Sequence, residues 1–151
     1  MTSVPDVSVD GPREPSASAG LWPRFGAAVY EAILLFAIGW IGSFVFVPLV
    51  GDAVHGVTRH LYQAFLLILF GSYFTYCWIR SGQTLGMKTW GLRVQRDDGA
   101  RLGWRLSAAR YGLAWISLLF AGAGFVWAVV DPDRKFLHDR VLGTRIVRVP
   151  I

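Results

Sequence analysis

Two long stretches without a charged residue dominate the pattern of hydrophobic and polar positions in this chain. The first follows Arg24 and Glu31 and covers residues 32–51, and the second covers residues 61–79. An α-helix of about 20 apolar residues is long enough to cross the hydrocarbon of a bilayer. The pattern therefore predicts two transmembrane helices joined by a short polar loop.

A third apolar segment covers residues 107–130, and the sequence allows two courses for it. A single crossing over residues 111–130 would place the C-terminus on the outer side. A re-entrant pair of helices, broken near residues 122–124, would return the chain to the side it left, and its non-helical backbone would need shielding by protein or water. The five basic residues between Arg134 and Arg148 favour the cytoplasmic side. Both courses therefore stay open.

The longest polar segment, residues 80–110, carries seven arginines and lysines against two aspartates. Such an excess places a loop on the cytoplasmic side, and with two crossings before it the N-terminus lies there too. Residues 91–96 alternate apolar and polar positions, residues 97–99 (Asp-Asp-Gly) supply a turn, and residues 100–102 follow, which together predict a β-hairpin. The tail, residues 143–149, also has a strand pattern. Its pairing with the first strand would require both on one side, which favours the re-entrant course slightly.

The composition is typical of a membrane protein. The chain is 54% hydrophobic and 17% charged, with a mean hydropathy of +0.43, whereas soluble domains carry about 25% charged residues. We therefore predict an all-α integral membrane protein with two transmembrane helices, a third embedded segment that crosses once or re-enters, and a small cytoplasmic β-hairpin. Residues 1–20 are polar and rich in Pro and Ser, so we expect a disordered tail before a membrane domain over residues 21–151.

The remaining composition narrows the classes of partner and chemistry. Basic loops beside an anionic leaflet explain the net charge of +5, so the lipid bilayer, and not a nucleic acid, is the expected partner. The single cysteine, Cys77, lies in an apolar span, and the sequence shows no metal-ligand spacing, phosphate loop or nucleophile placed beside a base. We therefore expect no enzyme, no cofactor and no metal site.

The ionisable pair at the start of the first span is the main candidate for chemistry. Arg24 and Glu31 are seven positions apart, so they share one helix face, about 10 Å apart along its axis. Arg24 by itself is explained by snorkelling towards headgroups. A carboxylate near hydrocarbon costs about 2.5–3.5 kcal/mol, so Glu31 requires a partner or a function. An ion pair that only fixes packing and a site that exchanges protons for cations explain it equally well.

The motif around Asp139 is the second candidate. Read from the residues alone, Asp139 is a capping carboxylate on an amphipathic cytoplasmic segment, and His138 is a surface histidine. If the C-terminus is cytoplasmic, Asp139 becomes a candidate partner for Arg24.

Three separated motifs resemble the RDD family of small membrane proteins, which is named for one arginine and two aspartates. They are AGLWPRF at residues 19–25, SGQTLGMKTWGLRV at residues 81–94 and FLHDRVLGT at residues 136–144. Arg24 falls at the position of the family arginine and Asp139 at that of the second aspartate. Glu31 stands where the first aspartate is expected, with the same charge on a side chain one methylene longer.

The resemblance implies a small multi-pass protein of the plasma membrane and two hypotheses for its function. Some family members are linked to sodium–proton antiport, which implies a transporter or cation/proton exchanger. In it Glu31 would alternate between a proton and a monovalent cation, while Arg24 and Asp139 set its affinity. Other members serve as membrane modules of larger assemblies, which implies an accessory module that binds a partner protein or anionic lipid. Because 151 residues are too few for two transporter repeats, a transporting form would be a homo-oligomer or need a partner membrane protein.

Overall fold

The computed structural model describes residues 21–51, 53–120, 127 and 135–150. The helices and strands in these ranges follow in this order: α1 Leu21–Val50, α2 Gly56–Ser81, α3 Leu85–Thr89, β1 Leu92–Arg96, α4 Trp104–Leu119, α5 Leu137–Leu142 and β2 Thr144–Arg148. The predicted N-terminal tail, residues 1–20, lies outside the described residues.

The two longest helices coincide with the two predicted spans. α1 has 30 residues and α2 has 26, and both are long and apolar enough to cross a membrane. Each helix begins before its uncharged stretch, so Arg24 and Glu31 lie within α1. α2 ends where Gly82 adopts a left-handed conformation (φ 70°) and its N–H donates to the carbonyl of Trp78. The prediction of two helices of spanning length is confirmed.

The two strands form an antiparallel sheet whose partners lie far apart in the sequence. β1 pairs with β2 from Leu92 opposite Arg148 to Arg96 opposite Thr144. Leu92, Val94 and Ile146 are buried, and they form one core with side chains from the surrounding elements. The other members of that core are Ala27, Trp78, Met87 and Leu102.

The sheet corrects the predicted hairpin. Residues 100–102 form no strand, and the Arg96 N–H donates one bond, of 2.9 Å, to the carbonyl of Ala100. Leu102 instead enters the core, and the chain turns into α4 at Gly103. The tail strand β2 forms five residue pairs with β1 and contributes two buried apolar side chains. It is therefore a better partner for β1 than residues 100–102.

The strand pairing places the segment after α2 and the C-terminal segment at one end of the bundle, which we call the loop end. α4 starts there, and its 16 residues rise about 24 Å, less than the thickness of a bilayer's hydrocarbon. The predicted break at residues 122–124 lies outside the described residues. The course of the third segment therefore stays a prediction, and the pairing of β1 with β2 favours the re-entrant one.

Two glycines allow the helices at the loop end to approach closely. A side chain on Gly26 would collide with the Trp90 ring, which packs α1 against the end of α3. A Cβ on Gly86 would lie 2.6 Å from the carbonyl oxygen of Ala27, a separation that real Cβ atoms essentially never show. α3 therefore lies directly on α1, one turn from Glu31.

We predict that Gln95→Cys combined with Arg145→Cys, in a Cys77→Ser background, forms an intramolecular disulfide in the purified protein. Gln95 and Arg145 are directly opposed in the sheet and half-buried, which places their Cα atoms within disulfide range. Proteolysis and mass spectrometry would detect the linked fragments. The matched control is Gln95→Cys with Arg101→Cys, the pair that a local hairpin would oppose. Preferential cross-linking of the control pair would contradict the strand pairing.

Candidate functional site

Among the described residues, four charged side chains are buried at the loop end, which is unusual because burying a charge costs several kcal/mol unless it is paired. They are Arg24, Glu31, Arg110 and Asp139, exposed by 6%, 7%, 5% and 1%. Three elements supply them: α1, α4 and α5. All three residues of the predicted site are thus buried, and Arg110 joins them.

Asp139 and Arg110 form a fully buried bidentate ion pair. Arg110 Nε donates to Oδ1 at 2.8 Å and Nη2 donates to Oδ2 at 3.3 Å, while Thr144 Oγ1 also donates to Oδ1 at 2.8 Å. The guanidinium lies 4.4 Å from the ring centroid of Trp78 on α2. Both carboxylate oxygens are therefore bonded, and the pair connects α4, α5, β2 and α2.

The bonds of Asp139 go to Arg110 and Thr144, and not to Arg24 as the sequence suggested. Sequence reasoning counted Arg110 among the basic residues of the loop and missed its role. A signal was present, since Arg110 lies within the predicted apolar segment 107–130, and an ionisable residue in such a segment is by default a functional candidate.

Glu31 has different surroundings from Asp139. Its Oε2 accepts the N–H of Gly86 at 3.2 Å, and a Cβ on Gly86 would lie 2.7 Å from that oxygen. Only glycine therefore lets α3 reach the carboxylate. Oε1 is buried and accepts no hydrogen bond from the part of the chain that the structure describes. On α2, the Tyr73 hydroxyl lies within hydrogen-bonding reach of the Glu31 carboxylate, and the Cys77 thiol lies within electrostatic reach of it.

A cavity of about 520 Å³ lies between α1, α2 and α4 and extends from the loop end into the apolar part of the bundle. Arg24, Glu31, Arg110 and His138 line its polar end. Apart from Thr84, the rest of the described lining is aliphatic or aromatic, with rings from Phe70, Phe74, Trp78, Tyr111, Trp115 and Phe136. The arrangement is a partly open, mainly apolar cavity with a few charged groups at one end, which is the usual form of a small-molecule site.

Phe136 and His138 line the polar end of the cavity together. The Arg24 guanidinium lies 5.3 Å from the centroid of the Phe136 ring, and the His138 ring stacks on Phe136 at 5.4 Å. His138 is 3% exposed, so its assignment as a surface histidine was wrong. α5 turns His138 and Asp139 inward, while Leu137 and Val141 lie on its exposed face.

The charge states at α5 follow from this burial. Burial lowers the pKa of His138 from 6.5 to about 4, because the raising effect of Asp139 is smaller and Arg110 lowers it further. Burial alone would raise the pKa of Asp139, but Arg110, His138 and the hydrogen bonds from Arg110 and Thr144 together hold it below its usual 3.8. At neutral pH, His138 is therefore neutral and Asp139 is ionised.

Two helices of spanning length and a cluster of buried charges around an apolar cavity define the class: a small helical membrane protein. The chain belongs to the RDD family, whose family model matches residues 18–143 and so covers Arg24, Glu31, Arg110 and Asp139. The resemblance of the three motifs is thereby confirmed. No curated protein and no solved structure matches the chain.

We predict that Asp139→Asn lowers the free energy of unfolding by about 3–5 kcal/mol, because it leaves the Arg110 charge buried without its counter-charge. Combining it with Arg110→Met should cost less than Asp139→Asn alone, since both charges are then gone. Unfolding in detergent by heat or denaturant measures both effects.

The matched control for that series is Asp97→Asn. It removes the ion pair between Asp97 and Lys135, whose side chains are 46% and 18% exposed, and such pairs contribute about 1 kcal/mol or less. Equal losses for Asp97→Asn and Asp139→Asn would contradict the special role of the buried pair.

We predict that stability falls as the pH is lowered from about 6.5 to about 4. In this window the unfolded chain protonates His138 before the folded protein does, so protons favour unfolding. The shift of the His138 pKa from 6.5 to about 4 amounts to at most roughly 3–4 kcal/mol, at about 1.4 kcal/mol per pKa unit. Loss of the ionised Asp139 adds to this only below pH 3.8.

The variant His138→Gln should flatten this part of the pH profile, because Gln does not titrate. Denaturant unfolding at several pH values between 4 and 7.5 measures the slope for both proteins. An unchanged slope in His138→Gln would show that another group causes the pH dependence.

Proposed function

We propose that this RDD protein is a cation/proton exchanger of the plasma membrane in which Glu31 carries the exchanged ion. One observation supports this most directly: Glu31 is 7% exposed at the wall of a cavity, and its Oε1 accepts no hydrogen bond from the described residues. A buried carboxylate oxygen without a donor is costly. A proton or a cation bound at that oxygen offsets the cost, and the two compete for it.

The exchange step is a simple substitution at this carboxylate. In the proton-loaded state Glu31 is a neutral carboxylic acid. A cation entering the cavity binds as the proton leaves, so one positive charge neutralises the carboxylate in both states. Gly86 holds Oε2 through its N–H, which keeps the carboxylate at the cavity wall.

The two carboxylates of the buried cluster have different roles in this proposal. Both oxygens of Asp139 are bonded to Arg110, and one of them also to Thr144, so Asp139 has no capacity left for a transported ion. We therefore assign Asp139 and Arg110 to holding the loop end together, and Arg24, at the same polar end of the cavity, to setting the affinity of Glu31. This refines the sequence hypothesis, in which Asp139 shared that task.

The proposed orientation follows the distribution of positive charge. The basic segment after α2 and the C-terminal segment carry most of the arginines and lysines, so we place the loop end, and with it the N-terminus, in the cytoplasm. The polar end of the cavity would then face the cytoplasm. Passage to the other side requires further helices, which a second copy of this chain or a partner membrane protein would supply.

The test uses the full-length protein in proteoliposomes that contain a pH-sensitive dye. A gradient of Na⁺, K⁺ or a permeant organic cation should drive proton movement in the wild type. Glu31→Gln should reduce it to the level of protein-free liposomes, because the amide can neither release a proton nor pair with a cation. Glu31→Asp should retain part of it, since the carboxylate remains.

Two outcomes would overturn the proposal. One is the absence of any proton movement that depends on Glu31 with all three cations. The other is a loss of Glu31→Gln protein from the membrane that Arg24→Gln partly restores, as expected for a pair that only fixes packing. The second outcome would favour an accessory module that binds a partner protein or anionic lipid.

A further inference from the structure

We propose, on the basis of the proposed exchange at Glu31, that the cation is organic: a monovalent ion with an apolar or aromatic body that fills the cavity between α1, α2 and α4. The proposal concerns the substrate class of the site and can fail while the exchange itself stands.

The size of the cavity is the first argument. Its volume is about 520 Å³, within the range of roughly 300–1,000 Å³ that small-molecule sites have. A water molecule occupies about 30 Å³, so a partly hydrated metal ion would leave most of this chamber without contacts. A body with several rings or alkyl groups would fill it.

The chemistry of the walls is the second argument. Metal ions such as Na⁺ are held by oxygen ligands, as hard cations are in general, whereas this chamber is lined mainly by methyl groups and rings. The face of an aromatic ring attracts a cation within about 6 Å, and cages of such rings are a known means of binding quaternary ammonium groups.

Rings in the cavity wall already contact positively charged guanidinium groups. The Arg110 guanidinium lies 4.4 Å from the Trp78 centroid, and that of Arg24 lies 5.3 Å from the Phe136 centroid. From Trp78 the aromatic surface continues through Phe74, at 5.2 Å, to Tyr111, at 5.9 Å from Phe74. Phe74 and Tyr111 therefore offer a cation an aromatic surface next to the charged end.

The charges around the cavity identify the carboxylate that the cation meets. Arg110 on α4 is bonded to Asp139 on α5. His138, which precedes Asp139 on α5, is neutral at physiological pH. On α1, Arg24 lies against Phe136. Tyr73 and Cys77 on α2 are neutral groups near Glu31, so Glu31 is the anionic group that lines the chamber among the described residues.

The first experiment titrates tetraphenylphosphonium into the purified full-length protein in detergent, with calorimetry as the readout. Binding at pH 8 should be weakened at least tenfold by Glu31→Gln. Tetraphenylborate has the same shape and the opposite charge, so it should not bind. Binding of both ions, or equal binding to Glu31→Gln, would overturn the proposal, since it would show non-specific partitioning.

The matched pair of ring variants tests the walls. Phe74→Leu removes a ring of the chamber, whereas Phe36→Leu removes a ring on the outer surface of α1 that is 70% exposed. Phe74→Leu should weaken tetraphenylphosphonium binding by about 2- to 30-fold, the loss expected for one cation–π contact of roughly 0.5–2 kcal/mol. Phe36→Leu should leave it unchanged, and equal effects of the two variants would contradict a site in this cavity.

The proteoliposome assay separates this inference from the proposed function. If Na⁺ or K⁺ drives proton movement that depends on Glu31 while tetraphenylphosphonium neither binds nor drives it, the exchanger stands and the organic substrate class is wrong. If none of the three cations drives it, both fall. Proton movement driven by tetraphenylphosphonium and unaffected by 100-fold excess Na⁺ is the result we expect.

Discussion

The buried ion pair between Arg110 and Asp139 is the interaction on which the loop end of this protein depends. Each charge is tolerable in the interior only while the other is in place. The pair therefore holds α5 against α4. Thr144, which donates to the same carboxylate, is also the first residue of β2 and pairs with Arg96 of β1. The ion pair therefore sets the position of the sheet. The inner face of the sheet in turn completes the core to which α1 and α3 contribute.

A scaffold fixed in this way leaves the second carboxylate available for chemistry. Asp139 has every oxygen bonded and a pKa held low, whereas Glu31 has one oxygen bonded to Gly86 and one that accepts nothing from the described residues. Two carboxylates in one site commonly take different roles when their surroundings differ in this manner. The contrast in hydrogen bonding, more than the presence of charge, is why we propose ion exchange at Glu31 and a stabilising role for Asp139.

The sequence predicted those features that local pattern controls. Uncharged stretches revealed α1 and α2, and helical spacing placed Arg24 and Glu31 on one face. It failed where the partner lies far along the chain: Arg110 and Asp139 are 29 residues apart, and no periodicity connects them. The strand pattern of the tail already allowed it to pair with the first strand, but the sequence could not weigh five such pairs against the local turn at residues 97–99, which led to the hairpin prediction. His138 was misassigned because a six-residue helix is too short for its pattern to show which side is buried.

The same geometry explains why a glutamate fits at residue 31, where the family has its first aspartate. α3 lies on α1 because Gly86 has no side chain, and its N–H meets Oε2 of Glu31 at 3.2 Å. An aspartate at position 31 would withdraw the carboxylate by about one C–C bond, roughly 1.5 Å, and would leave that N–H beyond bonding distance unless α3 moved with it. The longer side chain thus lets one oxygen bond to α3 while the other remains at the cavity wall, so the departure from the family pattern is compatible with the proposed ion exchange.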